Sequence, residues 1–181
     1  KEMLDRAEVK RFTVLCPPHL AEQWKLELET KFHIEATLVL ADTIQKLERR
    51  LPTGVSVFDR HPFTIVSTDL IKGRGRRDDF IPKCPHFIIV DEAHACAPAS
   101  AGGNHQRYEL VKQLTEDQDR HVILVTATPH SGNEGAFRSL LGLLDAEFHD
   151  LPLDMNKEVR ESIRIKLARH LVQRRRADIR R

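Results

Sequence analysis

Two adjacent acids, Asp91 and Glu92, follow directly on the apolar run Phe87-Ile88-Ile89-Val90. A run this apolar and this rich in β-branching fits a strand buried on both faces of a parallel sheet, and the acids then sit at its C-terminal end. In an open α/β sheet that end faces the ligand crevice, so a side chain there is aimed at a substrate. Neighbouring carboxylates repel, and a divalent cation is the most economical way to keep both ionised. The chemistry within their reach is hydrolysis of a nucleoside triphosphate. Asp91 would hold Mg²⁺, through water, and Glu92 would orient or deprotonate the water that attacks the terminal phosphate. The alternative is that Asp91 and Glu92 merely end a strand, as acids often do at turns.

A second apolar strand, Val122-Ile123-Leu124-Val125, ends in Thr126-Ala127-Thr128-Pro129-His130. Hydroxyls at the end of a neighbouring strand can reach the same crevice, bond to the carboxylates and sense a phosphate. Two such strand ends about one βαβ unit apart are more specific than either alone.

Asp91-Glu92-Ala93-His94 resembles motif II of superfamily 2 helicases, in its DEAH form, and Thr126-Ala127-Thr128-Pro129-His130 resembles their motif III. Within that superfamily the chain is most similar to the Swi/Snf-like DNA-dependent ATPases, especially the bacterial RNA-polymerase-associated type. The resemblance runs from Val14-Leu15-Cys16-Pro17-Pro18 to the arginine-rich end. It implies a three-layer α/β fold: a RecA-like lobe with a mostly parallel central sheet flanked by helices, truncated at the N-terminus. Residues 1–150 would be a partial ATP-binding lobe and 151–181 its helical extension. The implied cofactors are ATP and Mg²⁺. The implied partners are duplex DNA and RNA polymerase or another DNA-bound protein. By the same resemblance His94, Thr126, Ala127 and Thr128 couple phosphate state to DNA grip, while Pro17, Pro18 and His19 (motif Ia) and Ser67 and Thr68 (motif Ib) contact the DNA backbone.

The chain has 181 residues, enough for one domain with a substantial core or a domain plus an appendage. Its net charge of +2 and pI near 8.5 fall well short of a dedicated nucleic-acid clamp. Cys16, Cys84 and Cys96 form no CxxC pair, which fits free thiols in a reducing compartment. No apolar run approaches the ~20 residues a membrane helix needs, and no signal-peptide pattern opens the chain. A soluble, cytoplasmic protein is expected.

The elements that must position these groups can be read in order. Lys1 to Val9 reads as the end of a helix, Phe12 to Cys16 as a strand, and His19 to Phe32 as a helix with an apolar stripe of Leu20, Trp24, Leu28 and Phe32. That stripe favours a core place for Trp24, which together with Gln23 also continues the resemblance. Ile34 to Leu40 reads as a strand, Thr43 to Leu51 as a helix, and Pro52 to Pro62 as a loop with a short strand at Val55 to Phe58. Phe63 to Ser67 is a buried strand, after which Ser67 or Thr68 can cap a short helix through Leu70-Ile71. Lys72-Gly73-Arg74-Gly75-Arg76-Arg77 reads as a flexible basic loop, its glycines ruling out a regular helix. Its cations face either a phosphate backbone or solvent. Ala97 to Asn104 is expected to be a mobile loop, and Gln106 to Leu114 a helix burying Tyr108, Val111 and Leu114. Ser131 and Glu134 have capping-box spacing before a helix that buries Phe137, Leu140, Leu141 and Leu144. After a linker at Leu151 to Asp154, Val159, Ile163, Leu167 and Leu171 mark a final amphipathic helix that runs into Arg174-Arg175-Arg176.

The phosphate-binding pattern G-x-x-x-x-G-K-[ST], Walker A, is absent from the chain. The family places it before the segment that opens this sequence, so truncation is the expected explanation. Two functions follow: part of a DNA-translocating motor, or a helicase-like lobe serving as a non-catalytic DNA- or protein-binding scaffold. A strand-separating helicase or a restriction translocase subunit shares the same lobe.

Overall fold

The computed structural model describes residues 1–98, 106–127, 134–148 and 165–172. In chain order the elements are α1 (Glu2–Asp5), β1 (Phe12–Cys16), α2 (Ala21–Phe32), β2 (Thr37–Val39), α3 (Ile44–Glu48), α4 (Val57–Arg60), β3 (Phe63–Ser67), α5 (Thr68–Ile71), α6 (Arg74–Phe80), β4 (Phe87–Val90), α7 (Gln106–Thr115), β5 (His121–Leu124) and α8 (Glu134–Leu144). Short 3₁₀ turns at Pro18–Leu20, Ala93–Cys96 and Ala146–Phe148 complete the described elements. Residues 165–170 are helical, as expected for the end of the chain, whereas Val159, Ile163, Ser131 and most of the loop expected from Ala97 to Asn104 lie outside the described residues.

The strands form one sheet in the order β2-β3-β1-β4-β5, every neighbouring pair parallel. Parallel neighbours need crossovers, and crossovers are right-handed, so the direction of each step across the sheet decides which face its helices cover. The steps β2 to β3, β3 to β4 and β4 to β5 all run the same way. Accordingly Ile44 of α3, Phe58 of α4, Ile71 of α5, Phe80 of α6, and Leu110 and Leu114 of α7 join one core with Leu15, Val66, Ile88 and Val90. Only the step from β1 to β2 runs in the opposite direction. Its helix α2 therefore lies on the other face, where Ala21 and Leu28 pack with Phe12, Val14, Cys16 and Ile65.

That second face is less covered. Phe87 and Ile89 of β4 are half-buried there, and on β5 Ile123 is 45% exposed, with Val125 just beyond at 39%. The expectation that Phe87 to Val90 is buried on both faces is therefore met on one face only, and the second apolar strand, β5, is more exposed still. It stands at the edge of the sheet, and among the described residues no helix covers that side of it.

Two local expectations are also corrected. Val55 to Phe58 is not a strand: Ser56 accepts a bond from the Phe58 N–H at 3.3 Å and caps α4, which buries Val57 and Phe58. The basic stretch from Lys72 to Arg77 is not an irregular loop either. Gly73 is the N-cap of α6, and Gly75 sits in its first turn, where a glycine costs little because the first-turn N–H groups have no helical partner to lose. Burial of Phe80 and two cross-links hold this segment. Arg76 pairs with Glu48 of α3, and Asp69 accepts from Arg107 at 2.6 Å and from Lys72 at 2.8 Å. Those two cations, Arg107 foremost, keep the Asp69 carboxyl below the usual carboxylate range.

Thr13 and Thr64 are both buried in the centre of the sheet, with their hydroxyls 2.8 Å apart. Replacing one by valine strands the other hydroxyl. We expect Thr13→Val to lose about 1–3 kcal/mol in urea denaturation, and Thr13→Val/Thr64→Val to recover most of that loss. Gly75→Ala meets no atom within 4 Å and, at a first-turn position where the glycine penalty is smaller than in a helix interior, should leave stability unchanged or raise it by at most about 0.5 kcal/mol in urea denaturation.

Candidate functional site

Because all five strands run the same way, their C-terminal ends share one rim. Across it, the register aligns Cys16 with Ser67, Leu15 with Val90 and Val90 with Leu124. The segments singled out in the sequence therefore stand side by side: 67–68 after β3, 17–19 after β1, 91–94 after β4 and 126–127 after β5. The chain reverses its direction of winding between β1 and β4, the switch point at which open α/β sheets bind ligands.

Beyond Val90 the backbone stays tied to both neighbours. Asp91 N–H donates to the Leu15 carbonyl at 2.8 Å and Ala93 N–H to the Val125 carbonyl at 2.9 Å. Satisfying both bonds requires a sharp turn, and Glu92 makes it in the left-handed region, φ 50° and ψ 42°. For a residue with a Cβ this costs about 1–2 kcal/mol, and strain of this kind collects at functional sites.

The two carboxylates diverge. Asp91 Oδ1 accepts from the Glu92 N–H at 2.9 Å, and Oδ2 accepts from the Trp24 indole N–H at 2.6 Å. Glu92 turns towards His94, whose Nδ1 lies 3.1 Å from Glu92 Oε2 and 3.0 Å from Thr126 Oγ1. One ring nitrogen cannot serve both oxygens, and Glu92 Oε2, though buried, receives no well-directed hydrogen bond. An orphaned carboxylate oxygen is a ready acceptor for an O–H donor. Beside the acids, a cleft of about 460 Å³ is lined by Leu20, Gln23, Trp24, Glu27 and Phe32 together with Asp91 and Glu92. Cys16 ends β1 next door, but it is no nucleophile: burial, with the Asp91 charge adding to it, pushes its thiol up to about 12.

No protein-family model matches the chain. It is 32% identical over 145 residues to the RNA polymerase-associated protein RapA of Stutzerimonas stutzeri (strain A1501), covering 78% of this chain and 14% of that protein. RapA of Actinobacillus pleuropneumoniae serotype 5b (strain L20) is 29% identical over 156 residues, 83% of this chain and 16% of that protein. The chain thus spans no more than 16% of the length of these curated relatives. The structure described as a Sulfolobus solfataricus SWI2/SNF2 ATPase core in complex with dsDNA matches with a TM-score of 0.64 at 13% identity, over 96% of this chain and 35% of that one. At that identity the likeness is one of fold, and the fold is the RecA-like lobe. The chain is Swi/Snf-like, of helicase superfamily 2.

The structure brings the segments read as motif II and the start of motif III together through the hydrogen bond between His94 and Thr126. Ala127 is exposed at the rim, and Thr128 lies outside the described residues. In motif Ia, Pro18 and His19 are exposed and Pro17 half-buried, on a 3₁₀ turn that leads into α2. Motif Ib differs. Ser67 and Thr68 are each 3% exposed, Ser67 Oγ caps α5 by accepting from the Asp69 N–H at 3.2 Å, and Thr68 Oγ donates to the Cys16 carbonyl at 3.4 Å. Their hydroxyls are committed to the fold. Reading Trp24 as core was half of its role. Its ring does pack on the α2 side of the sheet, but no pattern in the sequence announces a hydrogen bond to a residue 67 positions away.

The donor set can be tested against Mg²⁺. Among the described residues no cluster of three or more His, Cys, Asp or Glu could hold a metal unaided. Mg²⁺ does not require one, because it keeps several waters and is held by one or two carboxylates plus substrate phosphates. Asp91 fits that pattern: each of its oxygens uses one acceptor site within the protein and keeps another.

The left-handed turn has a measurable consequence. Glu92→Gly should hold or raise stability by about 0.5–1 kcal/mol, despite losing a half-buried side chain, whereas Glu92→Val should lose about 1–2 kcal/mol in thermal or urea unfolding.

Proposed function

We propose that this chain supplies most of the first RecA-like lobe of a DNA-dependent ATPase that couples ATP hydrolysis to movement on duplex DNA and to remodelling of protein–DNA complexes. The observation that carries this reading is the rim itself: Asp91, Glu92 and His94 at the end of β4, joined to Thr126 at the end of β5. Bound Mg²⁺ would neutralise charge on the β- and γ-phosphates of ATP. Asp91, whose two oxygens are each fixed by one donor, would hold that ion. Glu92, whose Oε2 faces His94 Nδ1 at 3.1 Å, would orient the attacking water and take its proton. His94 stands between Glu92 and Thr126, so a displacement of the Thr126 segment changes what the Glu92 carboxylate faces. Ala127 and Thr128 extend that coupling segment.

The DNA-backbone contact is proposed for Pro17, Pro18 and His19, which present an exposed turn at the same rim. Ser67 and Thr68 support it from within, since their hydroxyls hold α5 and the end of β1. The duplex bound to the structural neighbour and the polymerase named in the relatives support DNA and RNA polymerase as partners. The phosphate-binding loop would come from residues outside this chain. The open edge of β5, with Ile123 and Val125 exposed, offers a place for one more strand, and the half-covered face beside α2 a place for its helix.

A second reading is a non-catalytic DNA- or protein-binding scaffold: a helicase-like lobe whose full-length protein lacks the phosphate-binding loop. The two separate on ATPase activity of the full-length protein containing this chain, measured without DNA and with single- or double-stranded DNA. Duplex-stimulated turnover supports the motor, and no turnover under any condition supports the scaffold. In the motor, Glu92→Ala should cut turnover by about 10²–10⁴-fold while sparing DNA binding. The 181 residues alone should bind ATP weakly and hydrolyse none measurably, because an arginine finger from a second lobe is worth about 10³–10⁵ in rate.

A further inference from the structure

Trp24 is the single tryptophan of the chain. Its ring borders an apolar groove with Phe12, Phe87 and Ile89, and packing alone accounts for a large apolar side chain there. Packing does not account for its polar atom. Nε1 donates to Asp91 Oδ2 at 2.6 Å, while the other carboxylate oxygen is held by the Glu92 backbone N–H at 2.9 Å. Each oxygen of the carboxylate therefore has one fixed donor, and the plane of the group is set from two sides.

The type of donor matters. An indole N–H can only donate; it has no tautomer to exchange and no charge to lose, so the bond always favours the ionised acid. A hydroxyl or an imidazole in the same place could reverse its role. Partners that orient a metal-holding carboxylate in this way govern metal affinity without touching the metal. We propose that Trp24 is a positioning residue for Asp91, fixing the carboxylate that holds the metal–nucleotide complex. It acts from α2, the helix that begins directly after the Pro17-Pro18-His19 turn, so one rigid element joins the proposed DNA contact to the proposed metal site. This inference rests on the metal-holding role proposed for Asp91.

The test is Mn²⁺ binding in the presence of ADP, followed by electron paramagnetic resonance on the full-length protein containing this chain. Trp24→Phe removes the N–H but also trims the ring. A second variant therefore replaces the Trp24 side chain with its benzothiophene isostere, which exchanges N–H for sulfur and keeps the shape. The expected result is Mn²⁺–ADP binding weakened about tenfold in the isostere variant, with an unchanged thermal midpoint. On an Asp91→Ala background the isostere should cause no further loss, which a role in packing alone would not produce. Wild-type Mn²⁺ affinity in the isostere variant, with Asp91→Ala weakened, overturns the positioning role and leaves the metal role of Asp91 standing. Mn²⁺ binding indifferent to Asp91→Ala overturns both.

Discussion

Five strands that run the same way must end at the same rim, and most of this structure follows from that constraint. Parallel pairing forces every connection to cross a face of the sheet, and the right-handedness of those crossings sends α2 to one side and α3 through α7 to the other. The reversal of winding between β1 and β4 then opens a crevice beside Asp91. Strand order sorts the rim as well. The turn at 17–19 and the hydroxyls at 67–68 follow the adjoining strands β1 and β3, while the acids and the threonine segment follow the adjoining strands β4 and β5.

Within the rim, hydrogen bonding divides the labour between two adjacent acids. Asp91 is held by donors on both oxygens, so its carboxylate is rigid. Glu92 is strained at its backbone and under-bonded at its side chain, so its carboxylate has acceptor capacity to spare. The left-handed turn that separates them is imposed by the backbone bonds to β1 and β5. Electrostatic repulsion between neighbouring carboxylates is thereby relieved by geometry as well as by any cation.

Away from the rim, charge serves the fold. Arg76, Lys72 and Arg107 pair with Glu48 and Asp69, tying α3, α5, α6 and α7 together. The basic stretch after β3 thus spends part of its charge inside the molecule. The side of the sheet beneath β4 and β5 is the counterpart: apolar residues are present, but among the described residues only α1 and α2 pack there, and β5 is the edge strand. Such a surface is stable when something else lies on it.

The strands that end at Asp91 and Thr126 were legible in the sequence because each depends on local pattern, and the fold class was legible through the family resemblance of those strand ends. Apolar runs of strand length end at Asp91 and Thr126, and helical spacing marks α2, α7 and α8. The errors arose where tertiary contacts outweighed local preference. Gly75 is helical because Phe80 and the pair of Arg76 with Glu48 anchor α6, and β5 is exposed because strand order, which no local pattern encodes, puts it at the edge. The same holds for the site. The sequence by itself determined which residue types stand at the strand ends. Only the tertiary structure decided that Trp24 bonds Asp91, that His94 stands between Glu92 and Thr126, and that Ser67 and Thr68 point inward. A hydrogen bond is set within a few tenths of an ångström by the packing of whole elements, and that packing is a property of all the crossovers together.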